Sequence, residues 1–78
     1  MLKQNDFLKI ASKAIGSKIT LKSNVNNTEK WDSLGHLQLL AALDNKTKGK
    51  TSKINSLSNA DSINKIIKVL KKNKIINS

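Results

Sequence analysis

An aspartate, a serine and a histidine lie close together in this sequence and are the side chains best suited to chemistry. Asp32 and Ser33 directly precede a leucine-rich segment, and His36 is the one histidine. Residues three apart share a helix face, so His36 could serve as the base for a nucleophilic Ser33. An enzyme would also need an orienting group, an oxyanion site and a cleft that excludes water, and the remaining sequence supplies none of these. We therefore expect a protein that is not an enzyme, with His36 as a solvent-exposed helix residue.

Two other roles remain open for Ser33. At the start of a helix, a serine hydroxyl can satisfy an unpaired backbone N–H group, so Ser33 could be a helix cap. Alternatively, another enzyme could attach a phosphate-linked group to it, because a phosphodiester at a helix N-terminus meets free N–H groups and the positive end of the helix dipole. Asp32 would then offer the modifying enzyme an acidic group, which could act through a metal ion. Phosphorylation would use the same geometry, so the residues alone leave the attached group open.

The length of the chain limits what it can build. Its 78 residues make one domain, 1–78. A chain of this size buries only about 60% of the surface that its unfolded form exposes. It has no cysteine, so it has neither a disulfide nor a Cys/His cluster for a metal. We expect a monomer whose surface presents a group to larger partners, rather than a protein with a deep substrate pocket.

The sequence also bears on location. No apolar run approaches the roughly 20 residues that are needed to cross a membrane. The first residues lack the charged-then-apolar pattern of a secretory signal. We therefore expect no membrane span and a cytoplasmic protein.

The formal charge of +10 comes from lysine alone, because all 15 basic residues are lysine and only five residues are acidic. Lysine, asparagine and isoleucine share A+T-rich codons, so base composition could explain part of this bias. A nucleic-acid-binding protein more often uses arginine for phosphate and guanine contacts and aromatic side chains for stacking. Here the aromatic residues of that kind are Phe7 and Trp31. A basic module that binds nucleic acid or an acidic surface, through loop 46–53 and the last helix, is kept as the alternative.

The pattern before the Asp-Ser pair predicts one helix and a long loop. The helix should run from Asn5 to Ile15, with Asn5 or Asp6 as its cap and Gly16 as its stop. Its apolar stripe comprises Phe7, Ile10, Ala11 and Ala14, widened by Leu8 and Ile15. Residues 17–31 form an ordered loop, because no second strand is available to pair with it. Its expected apolar anchors are Ile19, Leu21, Val25 and Trp31.

The second helix should begin at Ser33 and end at Asp44 or Lys46. The leucine spacing predicts that its core residues are Leu37, Leu40 and Leu43. The residues predicted to lie on its exposed side with Ser33 are Leu34, Gln38 and Ala41.

The remaining chain predicts a polar loop, a short helical turn and a last helix. Residues 45–53 are polar, and Ile54 and Leu57 should dock one helical turn. The capping pattern that begins at Ser58 and ends at Asp61 should start the last helix. The apolar stripe of that helix comprises Ile63, Ile66, Ile67 and Leu70. We expect an all-α bundle of three main helices and one short turn, without strand pairing.

Asp32-Ser33-Leu34, followed by an apolar-periodic helix that ends in Leu43-Asp44, resembles the phosphopantetheine attachment site of acyl carrier proteins. The resemblance covers nearly the whole chain, including the long first loop, the short apolar turn and the capped last helix. It implies an acyl-carrier-protein-like helical bundle. It also implies that Ser33 carries a 4′-phosphopantetheine arm and that Asp32 assists its attachment.

In that family, a holo-carrier synthase (a phosphopantetheinyl transferase) adds the arm from coenzyme A with magnesium. The thiol of the arm then holds acyl or aminoacyl groups as thioesters for partner enzymes, here an acyl or aminoacyl ligase and transferases. This would account for the absence of cysteine, because the working thiol would arrive with the arm. An unmodified carrier-like interaction domain is a further alternative.

The sequence departs from the family in the charge of its second helix. Fatty-acid carriers usually offer carboxylates there, whereas the corresponding positions here are Gly35, Gln38, Ala41, Asn45 and Lys46. Basic patches on partners would gain little attraction from this face. We therefore expect a specialised biosynthetic pathway rather than housekeeping fatty-acid synthesis. The expected partner-binding residues are Leu34, Gln38 and Ala41.

Overall fold

A computed structural model describes residues 2–77 and shows a small helical protein. Its three α-helices are α1 (Gln4–Ile15), α2 (Ser33–Lys46) and α3 (Ile63–Lys72), and a 3₁₀ turn spans Asn55–Asn59. Helices α1 and α2 form the most extensive contact between elements. The predicted helices and the short turn are therefore present, close to their expected bounds. None of the helices in this part of the chain is long and apolar enough to cross a bilayer.

The two ends of the described chain pair as short parallel strands. Strand β1 (Leu2–Lys3) lies beside β2 (Ile76–Asn77), with Leu2 opposite Ile76. The Leu2 N–H donates to the Ile75 carbonyl at 3.2 Å. The prediction of no strand pairing was wrong here, because strands of two residues are too short to show an alternating pattern.

The core lies where α1 and α3 present their predicted apolar stripes. In α1, the residues Phe7, Ala11 and Ile15 are buried. All four predicted stripe residues of α3 are buried as well, namely Ile63, Ile66, Ile67 and Leu70. Burial of these apolar side chains contributes to the stability of so short a chain.

The face that helix α2 presents to the core matches the prediction only in part: Leu43 is buried as predicted, and Leu40 is half-buried against the core. The buried residues of α2 are Gly35, Leu39 and Leu43. Leu37, which was predicted to be buried, is 64% exposed. The helix carries leucine or alanine on nearly every side, so spacing alone did not determine which side packs inward.

Two predicted helix caps were also wrong. Helix α1 begins after Lys3 without a side-chain cap, so neither Asn5 nor Asp6 has that role. Helix α3 is capped by Ser62, whose hydroxyl accepts the Lys65 N–H at 3.2 Å. Ser58, the predicted start, lies in the 3₁₀ turn, because the chain makes this turn before α3 begins.

Only part of the predicted anchoring of the loop between α1 and α2 is confirmed. Ile19 and Trp31 are buried, with 4% and 2% of their surface exposed. Leu21 and Val25 are 42% and 39% exposed, so they do not anchor the loop.

Backbone hydrogen bonds hold the middle of this loop instead of those apolar side chains. The Val25 N–H donates to the Asp61 carbonyl, and the Ile63 N–H donates to the Ser23 carbonyl, both at 3.0 Å. The loop is therefore fixed to the start of α3 by its backbone, which satisfies groups that would otherwise be left unpaired.

Candidate functional site

The cap of α2 is Asp32, not Ser33. The Asp32 Oδ1 atom accepts the Gly35 N–H at 2.8 Å, and the Asp32 carbonyl accepts the His36 N–H, also at 2.8 Å. Ser33 is therefore the first residue of the helix. Its side chain is exposed, and no hydrogen bond of its hydroxyl is found within residues 2–77. The interpretation of Ser33 as a cap is wrong, and its hydroxyl is open to solvent.

Gly35 allows the preceding loop to lie close to the first turn of α2. A Cβ atom at this position would be 2.5 Å from the Lys30 carbonyl oxygen and 3.4 Å from Asp32 Oδ1. A contact of 2.5 Å with backbone cannot be relieved by a side-chain rotation, so a larger residue would displace the loop. This contact could not be predicted from the sequence, because a glycine inside a helical pattern usually indicates only a lower helix propensity.

His36 is half-buried and hydrogen-bonded through both ring nitrogens. The Trp31 Nε1–H group donates to His36 Nδ1 at 3.0 Å, and His36 Nε2 lies 2.9 Å from the Leu57 carbonyl oxygen. An indole nitrogen only donates, so Nδ1 is the acceptor and the hydrogen-bond pattern assigns the ring proton to Nε2. The prediction of a solvent-exposed His36 was therefore wrong. Neither nitrogen is free to act as a base for Ser33.

Trp31 is a packing residue, as predicted, and it also fixes the site. Its ring stacks on that of His36, with the centroids 6.0 Å apart and the planes 20° from parallel. The Trp31–His36–Leu57 contacts join the end of the loop, the first turn of α2 and the 3₁₀ turn. In this arrangement of the three segments, Ser33 and Leu37 lie on the surface.

An open groove of about 570 Å³ begins at Ser33. Ser33, Leu37 and Leu40 form the α2 wall, and residues 58–61 form the opposite wall. A second groove, of about 350 Å³, also has Leu37 and Leu40 in its wall and is lined further along by Ala41. A flexible group attached at Ser33 would therefore meet a groove with leucine side chains in its wall.

The residues predicted to contact partners lie on the surface beside Ser33. Leu34 is 63% exposed, and Gln38 and Ala41 are exposed too. Leu37 joins them, which the sequence analysis missed because it assigned this leucine to the core. The exposed residues of α2 from Ser33 to Asn45 carry no charge. The exposed side chains of α2 beside Ser33 are therefore uncharged, and Leu34 and Leu37 are the large apolar ones among them.

The ionisable groups near the groove are few. Asp61 lies in its wall, and the Lys65 ammonium group at 2.9 Å holds the pKa of this carboxyl below its ordinary value, by a hydrogen bond and by charge attraction. Within residues 2–77, no cluster of three His, Cys, Asp or Glu side chains could hold a metal ion.

No protein-family model matches this chain, and no curated protein or solved structure matches it. Any role for Ser33 must therefore be inferred from its position, its exposure and the hydrogen bonds of its neighbours.

Proposed function

We propose that the protein is an acyl or aminoacyl carrier and that Ser33 bears a 4′-phosphopantetheine arm. The observation that supports this most is the hydrogen bond from Gly35 N–H to Asp32 Oδ1. Because Asp32 caps the helix, the Ser33 hydroxyl is not needed to accept a backbone N–H of the first turn. It is exposed at the first position of α2, where a modifying enzyme can reach it.

The position of Ser33 suits a phosphodiester. The first backbone N–H groups of a helix have no partner within the helix, and Ser33 and Leu34 supply two of them. Together with the helix dipole, they favour a negative group by about 0.3–1 kcal/mol at an exposed site.

Asp32 has a second role in this proposal. One of its carboxylate oxygens is bonded to Gly35, and the side chain is exposed. The other oxygen can bind the magnesium ion that accompanies coenzyme A, since hard cations prefer oxygen ligands. The Ser33 Oγ–P bond would form as the P–O bond to adenosine 3′,5′-bisphosphate breaks, with the hydroxyl proton passing to a base of the transferase.

The arm would supply the thiol that the chain lacks, and this thiol would hold the cargo as a thioester. The leucine-walled groove beside Ser33 gives the arm an apolar surface to lie on. Partner enzymes, namely a ligase and transferases, would contact Leu34, Leu37, Gln38 and Ala41. Because this face is uncharged, recognition would depend on apolar contact, which favours a specialised pathway over one whose enzymes recognise carboxylates.

The test is an intact-mass measurement. The purified protein is incubated with a broad-range phosphopantetheinyl transferase, coenzyme A and magnesium. One phosphopantetheine is expected on the wild type and none on Ser33→Ala. Ser58→Ala, which removes another exposed serine from the wall of the same groove, is the matched control and should be modified. The proposal fails if the wild type gains no mass or if Ser33→Ala gains it.

A further inference from the structure

Two of the three helices end with a lysine in the left-handed backbone region. After α1 this position is occupied by Gly16, with φ of 82°. After α2 and α3 it is occupied by Lys48 and Lys74, with φ of 57° and 59°. Residues with a Cβ atom rarely adopt this conformation, whereas glycine adopts it readily. The chain therefore has lysine at this position after two helices and glycine after one, and at the end of α2 a second left-handed residue, Gly49 with φ of 85°, follows Lys48.

Hydrogen bonds show that these are regular helix ends rather than irregular loops. The Ile75 N–H donates to the Leu70 carbonyl at 2.8 Å, and the Gly49 N–H donates to the Asp44 carbonyl at 2.9 Å. Each bond is the six-to-one hydrogen bond of a Schellman motif, the common helix C-terminal motif in which the left-handed residue is usually glycine. Glycine would thus fit both positions, so local backbone geometry does not explain the lysines.

Both lysines lie in one cluster at the end of the molecule away from Ser33. Two adjoining surface depressions share Lys48, Lys50 and Lys74, and Lys46 and Lys53 line one depression each. We call these five residues the lysine cluster. Helix α2 has 14 residues, so the cluster lies roughly 20 Å from Ser33 at a rise of about 1.5 Å per residue.

The lysine cluster carries positive charge that the described chain does not neutralise with an ion pair. Within residues 2–77, the one salt bridge joins Lys65 to Asp61, outside the cluster. Asp6 is the one carboxylate that lines either depression. The same depressions are lined by the apolar side chains of Leu2, Ile54 and Ile75. The surface is therefore cationic with apolar contacts inside it.

We propose that the lysine cluster binds a carboxylate-rich surface of a partner protein. Mixed apolar and complementary charged contacts are typical of protein interfaces. Nucleic acid is less well matched, because the chain has no arginine and its two aromatic side chains of the stacking kind, Phe7 and Trp31, are buried. This site is independent of the role of Ser33.

The left-handed lysines supply an unusually sharp test. In the variant Lys48→Gly/Lys74→Gly, two charges are lost from the cluster while two strained positions are relieved. A higher Tm together with weaker binding is therefore expected. The matched control is Lys9→Gln/Lys13→Gln, which removes the same charge from the exposed side of α1. If the glycine variant does not fold, Lys46→Gln/Lys53→Gln replaces it.

The probe is poly-L-glutamate, with binding followed by fluorescence anisotropy of the labelled polymer at low and at physiological salt. We expect the control to bind within about threefold of the wild type and the cluster variant to bind at least about tenfold more weakly. Equal binding by cluster variant and control would show that net charge alone is sensed, and would overturn the proposal. So would no binding at low salt, or tighter binding at the same salt to duplex DNA or to phosphatidylserine vesicles.

Discussion

One hydrogen bond, from the Gly35 N–H to Asp32 Oδ1, decides which side chain is free at the start of α2. The sequence placed an acidic residue and a serine before the helix, but both residue types are good caps. A shift of one residue in the helix start exchanges their roles. Spacing could identify the pair, whereas only the structure assigns the cap to Asp32 and leaves Ser33 exposed.

The capping role of Asp32 and its proposed role in the modification of Ser33 can be separated by substitution. Asp32→Asn keeps a good capping residue, so the free energy of unfolding should stay within about 0.5 kcal/mol of the wild type. It removes the carboxylate charge, so Ser33 modification should slow. Asp32→Ala should lose about 1 kcal/mol of stability as well. Chemical denaturation and timed mass spectra measure both effects, and an unchanged modification rate in Asp32→Asn would rule out the assisting role.

His36 is assigned a structural role, and His36→Leu tests it. The substitution leaves the Trp31 indole N–H and the Leu57 carbonyl without their present partner. An unsatisfied buried group costs about 1–3 kcal/mol, so the variant should unfold at lower denaturant concentration. Ser33 of the folded variant should still accept the arm. A folded variant that is not modified would contradict the assignment.

Asp61 and Lys65 give a prediction for pH. The Lys65 ammonium group lowers the pKa of Asp61, so Lys65→Gln should raise it toward the ordinary aspartate range. The pair favours the folded state above the unfolded pKa of Asp61, and this contribution disappears as the pH falls through the lower folded pKa. Both side chains are exposed, so solvent screens the effect and added salt should weaken it. An NMR titration of the Asp61 carboxyl carbon measures the change, and an identical titration in Lys65→Gln would refute it.

At the scale of elements, α2 shows where periodicity fails. Its leucines and alanines leave no clearly polar side, so two apolar stripes compete as the core face. The stripe that contains Leu39 and Leu43 is the buried one, and His36 lies beside it in contact with Trp31 and Leu57. The contact of His36 with Leu57 joins residues 21 apart in the sequence, and no local pattern predicts it. For α3 the predicted stripe is confirmed, and for α1 it is confirmed in part, because Phe7 and Ala11 are buried whereas Ile10 is only half-buried.

Paired alanine substitutions test the rotation of α2. Leu39 is fully buried, so Leu39→Ala should cost about 2–5 kcal/mol, because it removes apolar contacts and leaves a cavity. Leu37 is 64% exposed, so Leu37→Ala should change stability by no more than about 0.5 kcal/mol. Urea denaturation of both variants gives the comparison. A larger loss of stability for Leu37→Ala than for Leu39→Ala would mean that Leu37 is a core residue, as its spacing predicted.

At the scale of the whole molecule, the two ends of α2 differ in character. At the Ser33 end, the exposed side chains of α2 itself carry no charge and the capping residue Asp32 is an exposed carboxylate, whereas the far end carries the lysine cluster. The total charge of +10 was evident from composition, but the gathering of five lysines in one cluster beyond the end of α2 was not. Nor was the pairing of β1 with β2 predictable, since it joins residues from opposite ends of the chain.

The central claim is that Ser33 carries the arm, and trypsin offers the most direct measurement. Cleavage after Lys30 and Lys46 releases residues 31–46, in which Ser33 is the one hydroxyl-bearing side chain. After incubation with transferase, coenzyme A and magnesium, this peptide should carry the mass of one phosphopantetheine, and the other peptides should be unchanged. An unmodified 31–46 peptide, or the added mass on any other peptide, would contradict the account.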